Sequence, residues 1–131
     1  MKYVCLVYLV EKELQAMTQS EADRCRDESL AYDDALRKAG HLVVAHALQP
    51  VEAATTVRVR SGKLSATDGP FAETTEQLGG FLLIDARDLN EAIQVASLHP
   101  AARMGEELGW GIEVRQIEEN PPCKPQPSDR G

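Results

Sequence analysis

The chain begins with a segment, Tyr3 to Val10, that is apolar at both odd and even positions. Residues 80–85 have the same character, whereas apolar and polar residues alternate in 111–117. Continuous apolar runs are typical of strands covered on both faces, and alternation is typical of strands with one polar face. The pattern predicts two central strands and a third strand in which Ile112 and Val114 face the helices.

Two other segments have the spacing of amphipathic helices. The first follows a capping box, Thr18-Gln-Ser-Glu21, and its apolar residues recur every three or four positions. We expect this helix to cover residues 18–39. The second begins at Asp88, whose side chain suits a helix N-cap, and Pro100 is expected to end it.

The remaining strands are shorter. Residues 42–47 form an apolar strand, and residues 54–68 contain two β-rich stretches joined by Ser61-Gly62, a pair suited to a two-residue turn. Two β-α-β halves separated by such an insertion predict an α+β fold. It is a ferredoxin-like split β-α-β sheet with an inserted β-hairpin.

Two helices can cover only one face of this sheet. Both central strands, 3–10 and 80–85, are apolar on both faces, so the second face needs a cover. A symmetric homodimer with facing sheets would bury that surface and enclose a cavity. The alternative is that the hairpin or the C-terminal tail folds over the open face.

The charge balance excludes some partners. Fourteen Lys and Arg residues against 21 Asp and Glu give a formal charge of −7, with a pI near 4.9. The chain therefore lacks the basic surface that nucleic acid or anionic lipid requires. The N-terminal apolar run is short and is followed at once by Glu11-Lys12-Glu13, which is typical of neither a signal peptide nor a membrane span. We expect a cytoplasmic protein.

Cofactor and metal sites have little support in the sequence. Cys5, Cys25 and Cys123 are far apart and form no C-x-x-C motif, so the first two are expected to be buried thiols and the third a free thiol. No His-Glu-x-x-His or comparable ligand spacing occurs. The sequence predicts neither a metal nor a cofactor.

The most informative motif is residues 66–73, Ala-Thr-Asp-Gly-Pro-Phe-Ala-Glu. The Asp68-Gly69-Pro70 sequence favours a stiff turn, because Pro fixes its own φ and Gly accepts dihedrals closed to other residues. Such a turn would hold two carboxylates, Asp68 and Glu73, on either side of the Phe71 ring, as in a small polar site. The same residues are also good chemistry for an ordinary structural turn.

The motif and its flanks resemble the DGPF branch of the YCII-related family. The segments that carry the resemblance are Ala54–Gly62, Thr67–Glu73, Glu76–Phe81 and Glu113–Arg115. It covers about residues 1–118 and leaves a proline-rich tail, 119–131, outside. The resemblance implies a dimeric α+β barrel but no particular activity, so it leaves open whether the protein is an enzyme.

The candidate site lies between the sheet and the hairpin. Asp68, with His46 at a strand end, is the candidate for acid-base catalysis, because a His near an Asp can act as a base near neutral pH. Arginine binds carboxylate or phosphate in a bidentate manner, which points to a small anionic ligand. The candidate substrate-binding residues are Tyr8, Arg58, Phe71, Glu73 and Arg115. The alternatives are a plain ion-pair network and a strand-end histidine without catalytic function.

Two classes of function remain. The first is an enzyme or binder of a small anionic metabolite. The second is a non-catalytic regulatory dimer, since the resemblance implies association with extracytoplasmic-function sigma factors and the acidic surface could meet a basic protein partner. YCII-like proteins with enzymatic action are associated with a His-Asp pair whose histidine lies in the first helical region. The predicted helix 18–39 contains no histidine, so that pair cannot be transferred to this chain.

Overall fold

A computed structural model describes residues 1–119 and contains a four-stranded antiparallel sheet and a separate two-stranded hairpin. The strands are β1 Lys2–Val10, β2 Leu42–Ala47, β3 Thr55–Arg60, β4 Lys63–Asp68, β5 Glu76–Asp85 and β6 Gly111–Gln116. The helices are α1 Glu11–Ala16, α2 Gln19–Lys38, α3 Leu89–Ser97, α4 Pro100–Arg103 and α5 Gly105–Leu108, and Val51–Ala53 forms a 3₁₀ turn.

The strand order β2-β5-β1-β6 confirms the predicted α+β fold. In this order the strand that follows each main helix lies at an edge of the sheet, which is the arrangement of a split β-α-β unit. The hairpin β3–β4 is inserted between β2 and β5, as predicted. Cys123 and all of the predicted tail except Glu119 lie outside the described residues.

The helices and one face of the sheet enclose the core. Tyr3 and Cys5 of β1 and Ile84 of β5 are almost fully buried, and they pack with Leu36 of α2 and Ala92 of α3. Burial raises the pKa of the Cys5 thiol to about 11, so that this thiol stays protonated. Cys5 is therefore a core residue, as expected, whereas Cys25 is only half-buried.

The helix ends follow the sequence signals with one exception. The Thr18 hydroxyl accepts a hydrogen bond from the Glu21 amide at 3.1 Å, and the Glu21 carboxylate accepts one from the Thr18 amide at 3.0 Å. The Asp88 carboxylate caps α3 by accepting from the Glu91 amide. Pro100 does not simply end a helix, because it occupies the first turn of α4, where a missing amide proton is tolerated.

The strand register confirms which residues of β6 face the helices. Val114 pairs with Cys5, and Ile112 pairs with Val7, so both lie on the helix-covered face. On the opposite face, which we call the open face, no helix among residues 1–119 covers the sheet. The apolar side chains of the open face are half-buried and come from three strands, β1, β2 and β5: Val4, Leu6, Tyr8, Val44, Phe81 and Leu83.

The hairpin, residues 55–68, projects from this body, and we call it the hairpin arm. Ser61 and Gly62 both have positive φ, 50° and 75°, as a two-residue hairpin turn requires. At its base the Gly69 amide donates to the Ala54 carbonyl at 2.8 Å, and the Thr56 hydroxyl donates to the Gly69 carbonyl at 2.9 Å. Every side chain of the arm except Thr56 is exposed, so the arm does not cover its own sheet.

No helix among the described residues is long and apolar enough to cross a membrane. The longest helix, α2, carries charged residues along most of its length, which leaves only one side of it apolar. This side packs on the sheet.

Truncating a buried core side chain should lower the free energy of unfolding. Ile84 is 0% exposed, so Ile84→Ala should lower the free energy of unfolding by about 2–5 kcal/mol, through lost burial and the cavity left behind. Ile93 is 49% exposed on α3 and provides the matched control. Ile93→Ala should stay within about 0.5 kcal/mol of wild type. Urea unfolding at one protein concentration measures both, and equal effects would contradict this description of the core.

Candidate functional site

The structure divides the predicted site residues into two groups. Tyr8 and His46 lie on the open face, where the His46 ring is 5.9 Å from the Phe81 ring, centroid to centroid. Arg115 lies on the same face and forms an ion pair with Glu113. Its charge is therefore partly neutralised within its own strand.

The second group lies on the hairpin arm and in the loop that follows it. The Arg58 guanidinium lies over the Phe71 ring at 4.7 Å, and Phe71 is 76% exposed. Asp68 and Glu73 are also exposed. Within residues 1–119 no hydrogen bond or ion pair joins Asp68 to His46, and none joins the two groups. Their assembly into one site stays a prediction.

A larger set of residues, which includes the predicted His46, lines a cavity that is partly open to solvent. This cavity, which we call the α2 cavity, has a volume of about 390 Å³ and lies between α1, α2 and the helix-covered face of the sheet. Such a volume is in the range of small-molecule sites. Its walls comprise Val7, Leu9, Leu14, Ala22, Cys25, Arg26, Ser29, Leu30, Asp33, Ala45, His46, Ala47, Gly79, Gly80, Phe81, Leu82, His99, Ala101 and Trp110.

Small residues on β5 leave the space open. Val7 pairs with Gly80 and Tyr8 with Leu78, so Gly79 is an extra residue that forms a bulge in β5. Because paired residues share a face, the bulge turns the Leu78 side chain to the open face. Gly80 then contributes only backbone to the cavity floor. A Cβ at Gly80 would lie 3.0 Å from the His46 carbonyl oxygen, so this position has little room for a side chain.

Two polar atoms at the cavity are buried without a partner. Asp33 Oδ1 and Trp110 Nε1 have no hydrogen-bond partner among the described residues, and Trp110 is only 6% exposed. Burial raises the pKa of the Asp33 carboxyl above its ordinary value, although the nearby Arg37 opposes the shift. Unpaired buried polar groups are rare because each loses its hydration without compensation. Asp33 and Trp110 both line the α2 cavity.

His99 supplies a third polar group. It is 8% exposed, and its Nδ1 accepts a hydrogen bond from the Ala101 amide at 3.0 Å, which caps α4. Burial, aided by the Arg103 charge, lowers the pKa of His99 to about 4. The imidazole is therefore neutral at pH 7 and carries its proton on Nε2. Neutral His99 therefore adds no positive charge to the wall of the cavity.

The remaining polar groups add no net positive charge. Arg26 lines the cavity but forms ion pairs with Asp23 at 3.2 Å and Asp27 at 3.3 Å. Burial, followed by the Glu28 charge, raises the pKa of Cys25, so that its thiol is not activated as a thiolate. The cavity therefore combines apolar walls with one free carboxyl group, Asp33, and with the polar groups of Ser29, His99, Trp110 and the ion-paired Arg26.

A second, more open cleft lies at the end of β1 and β6. It has a volume of about 510 Å³ and is lined by Tyr8, Thr74, Glu76 and Glu113 among others. No cluster of three or more His, Cys, Asp and Glu side chains within residues 1–119 is arranged to hold a metal. The cleft is acidic and open to solvent, in contrast to the α2 cavity.

The motif-based prediction did not include Asp33, His99 or Trp110. A signal for Asp33 exists in the sequence, because it lies four residues after Ser29 on the inward side of an amphipathic helix. A carboxyl group at such a position is unusual. His99 and Trp110 carry no comparable signal, since only the tertiary fold brings the α3–α4 junction and the start of β6 to the same space.

The fold and the α2 cavity define a ferredoxin-like α+β protein with space for a small molecule. The profile of the YCII-related domain matches residues 1–119, and the chain belongs to that family. An uncharacterized protein of Rhizobium meliloti (strain 1021) is 40% identical over 96 residues, which are 73% of this chain and 77% of that protein.

A solved structure shares the fold at low sequence identity. It is 5-chloro-2-hydroxyhydroquinone dehydrochlorinase from Burkholderia phenoliruptrix AC1100, in complex with 2,5-dihydroxybenzoquinone. The two chains superpose with a TM-score of 0.55 and 15% identity, over 92% of this chain and 96% of that one. At this identity the likeness concerns the fold alone.

The raised pKa of Asp33 makes stability depend on pH. An acid whose pKa is higher in the folded state loses stability as pH rises from its unfolded value, 3.8, through the folded one. Asp33→Asn removes this loss and should therefore be more stable than wild type at pH 7. Below pH 3.8 the two proteins should be nearly equal. Urea unfolding at both pH values measures the difference, with exposed Asp34→Asn as control. A wild type that is more stable than Asp33→Asn at pH 7 would contradict the assigned shift.

Proposed function

We propose that this protein binds a small, uncharged and largely apolar organic molecule in the α2 cavity. The observation that carries the proposal is that Asp33 and Trp110, each with a buried polar atom that has no partner within residues 1–119, both line one cavity. A ligand with a hydroxyl for Asp33 and a carbonyl or similar acceptor for Trp110 would satisfy both. Leaving them unpaired costs about 1–3 kcal/mol for each group, which such a ligand would recover.

The cavity chemistry favours an uncharged ligand over the anionic metabolite expected from the sequence. His99 is neutral at pH 7, and the Arg26 charge is compensated by two aspartates. An anion would therefore be desolvated next to the Asp33 carboxyl without a free cation to stabilise it. The two arginines predicted to bind an anion lie on different parts of the molecule, Arg58 on the hairpin arm and Arg115 on the open face. Binding one anion between them requires a contact that brings these two parts together.

The same groups are suited to acid-base chemistry. Burial raises the pKa of the Asp33 carboxyl, which is the direction of shift that suits a proton-transferring acid. Trp110 Nε1 and His99 Nε2 are donors that could stabilise negative charge as it develops on a bound oxygen. We propose Asp33 as the proton-transferring group and the two donors as its partners. The dehydrochlorinase of the same fold, which binds 2,5-dihydroxybenzoquinone, offers a precedent for a small ring compound on this scaffold.

We further propose that the functional unit is a homodimer that associates through the open face. The half-buried apolar side chains of Val4, Leu6, Phe81 and Leu83 support this, because a contiguous apolar face at the centre of a sheet favours a partner. His46 and Tyr8 would lie at this interface. A regulatory dimer that meets a basic partner remains the second candidate, supported by the acidic composition.

A ligand screen tests the small-molecule proposal. A molecule present at 100 times its dissociation constant should stabilise the protein by about 2.7 kcal/mol, which appears as a higher melting temperature. Uncharged hydroxylated ring compounds should produce the shift, and Ala22→Leu, which narrows the α2 cavity, should abolish it. Ala35→Leu, on the exposed side of the same helix, is the matched control and should keep it.

Two outcomes would contradict this proposal. If only anionic metabolites shift the melting temperature and Arg115→Ala removes the effect, the open face is the site. If no compound shifts it and a basic protein co-purifies with the chain, the regulatory function is favoured.

Light scattering tests the homodimer. At micromolar concentration we expect twice the 14.4 kDa mass of the chain, because a C₂ dimer is the simplest assembly that covers one self-complementary face. A stable monomer in that range would leave the open face uncovered and would contradict the proposal.

A further inference from the structure

The hairpin arm has two chemically different faces. Val57 pairs with Ala66 and Val59 with Leu64, so these four side chains share one face. Val57, Val59 and Leu64 are 61%, 66% and 72% exposed. The other face carries the cations Arg58, Arg60 and Lys63, and the one carboxylate of the arm, Asp68, pairs with Thr55 at the base of the apolar face.

A two-stranded arm with an exposed apolar face gains stability when that face packs against another surface. A two-stranded hairpin in water is marginally stable, and a contiguous exposed apolar face usually marks a contact surface. Within residues 1–119 the two strands of the arm pack chiefly on each other and not on the four-stranded sheet. Among residues 1–119, therefore, nothing covers either the apolar face of the arm or the open face of the sheet.

We infer that the apolar face of the hairpin arm docks on the open face of a second copy of this chain, in a reciprocal exchange of arms. Each chain carries one arm and one open face. A two-fold axis therefore matches every arm to a sheet without leaving either surface uncovered. The exchange rests on the proposed homodimer and specifies how its surfaces meet. It is independent of the small-molecule proposal, because it concerns the face of the sheet opposite the α2 cavity.

The charge distribution supports a second copy as the occupant. The arm, residues 55–68, has a formal charge of +2, because Asp68 offsets one of its three cations. The rest of residues 1–119 contains 19 Asp and Glu against nine Lys and Arg, a formal charge of −10. When the arm lies with its apolar face on a second copy, its cations point outward above an acidic body. The arm is thus attracted to the body of another copy, whereas the two bodies alone repel each other.

The test measures dimer dissociation constants by analytical ultracentrifugation. Val59→Asp/Leu64→Asp places two carboxylates on the apolar face of the arm and should raise the dissociation constant at least tenfold. Ile93→Asp/Leu98→Asp is the matched control, since these residues are 49% and 59% exposed at α3, and it should leave the constant unchanged. Both substituted pairs are exposed, so the variants should fold, and circular dichroism checks this.

A mixing experiment identifies what the arm contacts. Val44→Asp impairs the open face and keeps the arm, whereas the arm variant keeps the open face. Their mixed dimer retains one intact arm-on-sheet contact and should form at least tenfold more tightly than either variant alone.

Three results would overturn the inference. An arm variant with the wild-type dissociation constant would show that the sheets associate without the arms. Failure of the mixture to recover association would mean that the arms contact each other or nothing. A wild-type chain that stays monomeric would mean that the occupant is not a second copy. None of these results bears on the ligand-induced thermal shift, which tests the cavity separately.

Discussion

The organisation of this protein depends on one constraint: its central strands are apolar on both faces, but its helices cover only one. Tyr3, Cys5 and Ile84 are buried on the helix-covered face, while Leu6 and Leu83 on the other face are only half-buried. Burial of apolar area stabilises by about 25 cal/mol per Å². A sheet face that stays in water contributes little of this stabilisation. Association with another surface would bury the face and add it.

The covered side is not packed to full density either. The space under α2 is a partly open cleft of about 390 Å³ whose lining includes the exposed Leu14 and Leu30, so α2 does not close fully on the sheet. A core selected for stability alone would place larger side chains at Ala22 and Ala45, and it would not keep the carboxyl of Asp33 there. Cavity and unpaired polar groups both reduce stability, and they occur together. This coincidence is the physical basis for regarding the cavity as a ligand site.

The sequence predicted the parts of the fold that depend on periodicity and local chemistry. The capping box at Thr18, the hairpin turn at Ser61-Gly62 and the facing of Ile112 and Val114 are examples. The short helix α1 was not predicted, because six residues carry too little periodicity. The Asp-Gly-Pro-Phe motif closes the base of the hairpin arm, and its Gly69 has a positive φ of 111°. Its local geometry could be predicted, but its distance from His46 depends on tertiary contacts.

The bulge at Gly79 connects the two sides of the sheet. With regular pairing, Leu78 would lie on the same face as Gly80 and its side chain would enter the α2 cavity. The extra residue moves Leu78 to the open face beside Tyr8, where it is 37% exposed. One inserted glycine thus leaves room for a ligand on one face and adds apolar surface to the other. Because a one-residue change in register exchanges the faces of a strand, neither property can be altered at this position without the other.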